Sequence, residues 1–146
     1  MNIQVIYHSQ SGNTKKVAEA IAQELKVTAI PIEQAKDIRQ EPVDLLLIGD
    51  GMYFGGMSDQ MKQFIDTLEP QKIKTAAVFS TSGGSWPMGP AVLKKRLAEK
   101  NIVVLEQSFK CHGSAFGVAF PSHPNEADLT NARKFARSVA ESMKEG

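Results

Sequence analysis

The sequence predicts an α/β fold, a doubly wound sheet of five parallel strands with helices on both faces. Three observations predict it. Short apolar runs of strand type alternate with amphipathic runs of helical spacing along the chain, the pattern of repeated strand-helix-strand units. Some strand runs, such as Leu45–Gly49, are continuously apolar rather than alternating, as a strand covered on both faces requires. The length of 146 residues fits one domain around one core, and five strands at this size suggest the order 2-1-3-4-5.

The elements follow in order. Ile3–Tyr7 is the first strand. A helix over Asn13–Leu25 comes next, with Val17, Ala18, Ile21, Ala22 and Leu25 on one face. Val27–Ile32 reads as a short second strand, and Gln34–Pro42 as a polar connection with room for a turn of helix. Leu45–Gly49 is the third strand. Asp59–Leu68 is a helix that turns Met61, Phe64, Ile65 and Leu68 inward. Thr75–Phe79 is the fourth strand, and Ala91–Lys100 a helix with Val92, Leu93 and Leu97 inward. Ile102–Leu105 is the fifth strand, with a possible continuation toward Cys111. Glu126–Met143 is the last helix, its stripe formed by Leu129, Ala132, Phe135, Ala136, Val139 and Ala140. No repeat, low-complexity stretch or linker divides the chain, so residues 1–146 are read as a single domain.

Composition narrows the function. Hydrophobic content of 42% and charged content of 23% are ordinary for a globular protein. A net charge of +1 gives no pull toward nucleic acid or a membrane surface. No basic segment followed by an apolar one opens the chain, and no apolar run approaches the length of a membrane span. A cytoplasmic location is expected. Cys111 is the sole cysteine, which excludes an internal disulfide and a cysteine-rich metal site.

The chemistry gathers on three loops at one end of the predicted sheet, where such folds bind ligands. The first is Ser9-Gln10-Ser11-Gly12-Asn13-Thr14, between the first strand and first helix. Free backbone N–H groups, hydroxyl donors and the positive end of a helix dipole suit this turn to a phosphate. One capping residue suffices to start a helix, and this turn has several. It carries neither a Rossmann GxGxxG nor a Walker lysine, so a compact monophosphate fits better than a nucleoside triphosphate with magnesium. The second loop is Asp50-Gly51-Met52-Tyr53-Phe54-Gly55-Gly56-Met57. The third runs from Ser80 through Thr81, Ser82, Gly83, Gly84, Ser85, Trp86, Pro87, Met88 and Gly89 to Pro90. Both combine glycines, which allow close backbone approach, with large flat or soft side chains. One loop for a phosphate and two for a flat ring describe a flavin mononucleotide (FMN) site.

On these residues the chain resembles the flavodoxin family, its short-chain members and flavodoxin-like domain proteins. Flavodoxins open with a pattern close to Ser/Thr-x-Ser/Thr-Gly-Asn-Thr after the first strand, and Ser9–Thr14 is similar to it. The likeness extends over essentially the whole chain. The stretch His123-Pro124-Asn125-Glu126-Ala127-Asp128-Leu129 also resembles the start of the last helix in one subgroup.

The resemblance implies a flavodoxin-like three-layer sandwich with FMN between strands one and three. Ser9, Ser11, Gly12, Asn13 and Thr14 would hold the phosphate, with Gln10 contributing its backbone. Met52, Tyr53, Phe54 and Gly55 would flank the ring, and a peptide near Gly51 would meet flavin N5. Ser80, Thr81, Ser82, Gly83, Gly84 and Trp86 would line the ring's polar edge and other side. Which aromatic stacks on which face stays open. The implied function is electron transfer from a reductase to a client enzyme by a monomer or weak dimer. The alternative is an FMN-dependent NAD(P)H:quinone-type oxidoreductase. No long insertion builds a second substrate pocket, which favours the carrier. No side chain is expected to act as a general acid or base.

Other residues have plainer readings. Met57 and Met88 serve as adaptable packing near the ring. His8, opposite Ser9 in the strand alternation, is a packed or surface histidine. His112 and His123 are not at metal-ligand spacing, and a metal site there is not expected. Cys111 is read as buried filler. Lys15 and Lys16 fit a solvated helix face as well as attraction for phosphate. Two other classes sharing this architecture lack their residues here. No acidic residue precedes Glu19, as a phospho-acceptor receiver would need, and the first turn has neither the Cys nor the Arg of a small tyrosine phosphatase. Flavodoxins are usually strongly acidic, whereas 17 Lys and Arg here face 16 Asp and Glu. Fewer carboxylates near the ring favour the anionic reduced flavin, so a less negative potential is expected.

Overall fold

Apolar runs become strands here because each finds a parallel neighbour. The computed structural model describes residues 1–35, 41–52, 56–82, 89–113 and 123–145. In chain order the elements are β1 (Ile3–His8), α1 (Asn13–Leu25), β2 (Ala29–Pro31), β3 (Val43–Met52), α2 (Asp59–Asp66), β4 (Ile73–Ser82), α3 (Gly89–Glu99), β5 (Val104–His112) and α4 (Glu126–Glu145). Short 3₁₀ turns lie at Ile32–Gln34 and Pro70–Lys72. The sheet order is β2-β1-β3-β4-β5, with every neighbouring pair parallel. This is the predicted doubly wound topology. Among the described residues no helix is long and apolar enough to cross a membrane.

The alternation of side chains along each strand divides the core in two. Ile6, Leu46, Ile48 and Val78 pack against Met61, Phe64 and Ile65 of α2 and Leu93 and Leu97 of α3. Val5, Leu45, Leu47, Ala77 and Phe79 pack against Val17, Ala18 and Ile21 of α1 and Ala132, Phe135, Ala136 and Val139 of α4. Leu45, Leu46, Leu47 and Ile48 are all fully buried. That is why the third strand reads as a continuous apolar run.

One glycine is fixed by packing across the sheet. Gly49 pairs with Phe79 between β3 and β4. A Cβ on Gly49 would lie 2.1 to 2.5 Å from the Phe79 ring. The ring occupies the space that a side chain would need.

Several boundaries differ from the sequence reading, and each has a physical cause. The second strand is shorter than Val27–Ile32. Val27 N–H donates to the Ala22 carbonyl beyond the left-handed cap Lys26, so Val27 belongs to the end of α1. At the other end Ile32 opens a 3₁₀ turn. The third strand runs past Gly49 to Met52 because Asp50 is accommodated inside it, fully buried. The fourth strand extends to Ser82 for the same pairing reason. The fifth starts at Val104, not Ile102, because the Ile102 N–H closes the end of α3 on the Leu97 carbonyl. It does continue through Cys111 to His112. Helix α2 ends at Asp66, with Leu68 buried just beyond. Helix α3 begins two residues earlier than read, at Gly89, and ends at Glu99. Helix α4 runs to Glu145, and α1 has the predicted bounds. Most of the Gln34–Pro42 connection lies outside the described residues.

Candidate functional site at the carboxyl end of the sheet

Strands β1, β3 and β4 end side by side, at the point where the chain's direction of winding reverses. The turn after β1 is built by its own side chains. Gly12 N–H donates to Ser9 Oγ at 3.0 Å, and Asn13 Nδ2 donates to Ser11 Oγ at 2.9 Å. Gly12 adopts φ 90°, a conformation that favours glycine. No side chain caps α1, and its first turn holds no acidic residue. Helix α2 is different, since Ser58 Oγ accepts from Met61 N–H at 3.1 Å. Helix α1 thus starts at a glycine that carries no capping side chain of its own.

The first and third loops are joined. Thr14 Oγ1 and Thr81 Oγ1 are 2.9 Å apart and each is 1% exposed. Ser82 carbonyl accepts from Gly113 N–H at 2.9 Å, which brings the end of β5 over the same place. The backbone of Gly113 lies against the Asn13 side chain, so closely that a Cβ there would be 2.6 Å from Nδ2. Ser80 and Met52 are packed against Gly89 at the start of α3. Both are buried, and Met52 lies within the core beside α2 and α3.

Of the predicted site residues, Ser9, Gln10, Ser11, Gly12, Asn13, Thr14, Gly51, Met52, Ser80, Thr81 and Ser82 lie in or beside these turns. Tyr53, Phe54, Gly55, Gly83, Gly84 and Trp86 lie outside the described residues, as does Met88. Lys15 and Lys16 are exposed on α1, and Lys15 is 4.0 Å from Glu19.

A feature missed in the sequence lies between β1 and β3. Asp50 and His8 are register partners at the ends of these strands. Asp50 is fully buried and His8 is 8% exposed. Asp50 Oδ1 accepts from Gly51 N–H at 2.9 Å, and Oδ2 from Ser58 N–H at 2.8 Å. Burial pushes the Asp50 carboxyl above its usual range, against the opposing pull of the Ser58 and Gly51 bonds and of His8. His8 Nδ1 lies 3.5 Å from Glu33, and its Nε2 is buried without a hydrogen-bond partner. A cleft of about 450 Å³ opens beside them, lined in part by Gln10, Gly51, Gly56, Met57 and Asp59. The signal available in sequence was a pair of titratable residues ending adjacent predicted strands.

His112 and His123, well apart in the sequence, meet in the structure. Their rings meet edge to face with centroids 6.0 Å apart. His123 Nδ1 is 2.7 Å from Asp128 Oδ2, which also accepts from Asn125 N–H. Among the described residues no three His, Cys, Asp or Glu side chains are grouped to hold a metal ion. Half-buried Cys111 has its thiol pushed up to about 12, by burial first and then by the charge of Asp128.

The model of the flavodoxin domain matches residues 4–106 of this sequence. The chain belongs to the flavodoxin family. An uncharacterised protein of Methanocaldococcus jannaschii is 32% identical, over 95% of this chain and 98% of its own length. An NAD(P)H dehydrogenase (quinone) of Archaeoglobus fulgidus is 29% identical, over 95% of each chain. Among solved structures, a flavodoxin from the domain Archaea superposes with a TM-score of 0.80 at 22% identity, over 99% of both chains. This last likeness is one of fold. Flavodoxins bind flavin and pass electrons to redox partners.

Proposed function

We propose that this flavodoxin-family chain binds FMN non-covalently and carries electrons between a reductase and a client enzyme. The observation that carries the reading is the open start of α1. A helix N-terminus with a left-handed Gly12, no side-chain cap and no acidic first-turn residue offers its N–H groups and dipole to an external anion. Apart from its chain neighbours, no atom among the described residues lies within 4 Å of where a Gly12 Cβ would project, which leaves room for a bulky oxyanion to approach the backbone. Ser9, Ser11, Asn13 and Thr14 add hydroxyl and amide groups, a donor set that fits a phosphate monoester.

In this reading Gln10 contributes backbone to the phosphate turn. Gly51, Met52, Tyr53, Phe54 and Gly55 on one side, and Ser80, Thr81, Ser82, Gly83, Gly84 and Trp86 on the other, form the surroundings of the ring. Met52 then acts through packing, since its side chain is 1% exposed. FMN, when bound, supplies the redox chemistry, and the chain supplies binding, ring environment and docking. A cytoplasmic location fits this role.

A second reading is favoured by the Archaeoglobus relative, which covers the chain almost completely. In it the protein takes hydride from NAD(P)H directly and reduces a quinone-type acceptor. One experiment separates the two. FMN is added to the purified protein, the absorbance spectrum is recorded, and NADPH is then added without oxygen. A perturbed, protein-bound flavin spectrum that NADPH leaves unbleached supports the carrier. Rapid bleaching moves the protein to the oxidoreductase class, and an unperturbed FMN spectrum sinks both readings.

A further inference from the structure

We propose that Asp50 is a clamp on the connection from β3 to α2, holding both of its ends, with His8 as the buried counter-group beside it. The functional consequence rests on the FMN reading above, because this connection carries residues assigned there to the ring. The clamp itself does not.

The geometry is specific. One oxygen of Asp50 accepts from Gly51, the next residue of β3, and the other accepts from Ser58. Ser58 is the residue that caps α2. A single fully buried carboxylate thus ties the end of the strand to the start of the helix. Both oxygens must accept, which an amide cannot provide. An asparagine has one acceptor oxygen and would turn its NH₂ toward one of the two N–H groups.

A buried carboxylate needs compensation. The charged groups around it come from three elements. His8 on β1 is its register partner, and its unpartnered Nε2 is sealed from solvent. Glu33, on the 3₁₀ turn after β2, lies against the other ring nitrogen. Asp59 on α2 borders the same cleft and is 3.7 Å from Lys62. On the remaining side, the β4 partner of Asp50 is the uncharged Ser80. Of these groups, His8 is the one that can place a positive charge beside Asp50. Protonation of Asp50 turns one of its oxygens into a hydroxyl, a donor and a poorer acceptor than a carboxylate oxygen, so one of the two N–H groups is held less strongly.

Two opposite responses to acid follow. Because burial raises the folded carboxyl above its unfolded value, Asp50's contribution to global stability is fully present at acid pH. It is lost as pH rises through the folded value. The clamp behaves the other way, intact when Asp50 is ionised and weakened at one end when it is protonated.

The test is amide hydrogen exchange at Gly51 and Ser58, followed by NMR in protein without added flavin and corrected for intrinsic exchange. Wild type, Asp50→Asn and His8→Gln are compared across a pH series, and FMN affinity is measured on each. In wild type, protection at one of the two amides is expected to fall at least about tenfold as Asp50 protonates. Asp50→Asn should lack that protection at pH values above the wild-type transition and show no such transition itself, and should bind FMN at least about tenfold more weakly. His8→Gln should move the wild-type transition to higher pH. Equal protection and equal pH profiles in wild type and Asp50→Asn would overturn the clamp. Should Asp50→Asn fail to fold, the wild-type and His8→Gln profiles decide alone, and a flat wild-type profile overturns the proposal. Lack of FMN binding by wild type would sink the FMN reading while leaving the exchange result standing.

Discussion

Replacing Thr14 or Thr81 by valine separates the two roles that the hydroxyl pair can play. The oxygens are 2.9 Å apart and both residues are 1% exposed. Either single substitution leaves the other hydroxyl buried without this partner, at a cost of about 1–3 kcal/mol in stability. The double substitution removes both polar groups and leaves two side chains of similar shape. It should therefore destabilise by less than the sum of the singles, with a coupling above about 1 kcal/mol. FMN affinity should follow a different pattern. Thr81 can donate to Thr14, which frees the Thr14 proton for a phosphate oxygen. Thr14→Val loses a hydrogen bond to a charged group, about 1.5–3 kcal/mol or roughly 10- to 150-fold in Kd. Thr81→Val should weaken FMN less, because it removes only the orienting partner. Urea denaturation of the protein without flavin gives the cycle, and flavin fluorescence quenching gives the affinities. Additive stabilities would refute the buried pair. An unchanged Kd in Thr14→Val would refute the assignment of this turn to the phosphate.

Three further outcomes are expected. Gly49→Ala forces a Cβ into the Phe79 ring and should destabilise by about 1–3 kcal/mol or more; thermal melts should show partial rescue by adding Phe79→Leu, and no loss in Gly49→Ala would contradict the packing. Ser58→Ala removes the α2 cap and should cost about 0.5–2 kcal/mol, read from the urea midpoint at unchanged slope. Cys111, with its thiol pushed up to about 12, should react with an aromatic disulfide reagent far more slowly than free cysteine at pH 8. Its rate should still be rising at pH 10, and a plateau below pH 9 would contradict its burial.

The fold was legible because burial on both faces leaves a signature that needs no partner information. Leu45 through Ile48 are apolar in succession since α1 and α4 cover one side of β3 while α2 and α3 cover the other. The strand ends were less legible because pairing, not hydropathy, decides them. Asp50 continues β3 since β4 reaches Ser80 and beyond beside it, which nothing in the local sequence states. The turn proposed for the phosphate could be read as a unit because its polar residues are contiguous in the chain, from Ser9 to Thr14. Its support from Thr81 and Gly113 depends on strand order. His112 and His123 looked unrelated for the same reason, since their rings meet in space although the residues are well apart in the sequence.

If FMN binds as proposed, one buried carboxylate is expected to govern its potential more than the net charge of the chain. The near-neutral balance of the chain argues for a potential less negative than that of an acidic flavodoxin, because reduced flavin is anionic. Exposed charges at a distance, however, are screened within about 8 Å at physiological ionic strength, and surface pairs such as Arg96–Asp66 contribute little to the field at the site. Asp50 is fully buried, and its charge is one hydrogen bond from the Gly51 N–H, the peptide assigned above to the neighbourhood of flavin N5. Asp50→Asn should therefore shift the potential of bound FMN in the positive direction at pH values above the Asp50 transition. Lys26→Glu, at the exposed far end of α1, changes the net charge by more and should shift it less. A spectroelectrochemical titration of the three proteins ranks the two effects. A larger shift in Lys26→Glu than in Asp50→Asn would mean that overall charge governs the potential after all.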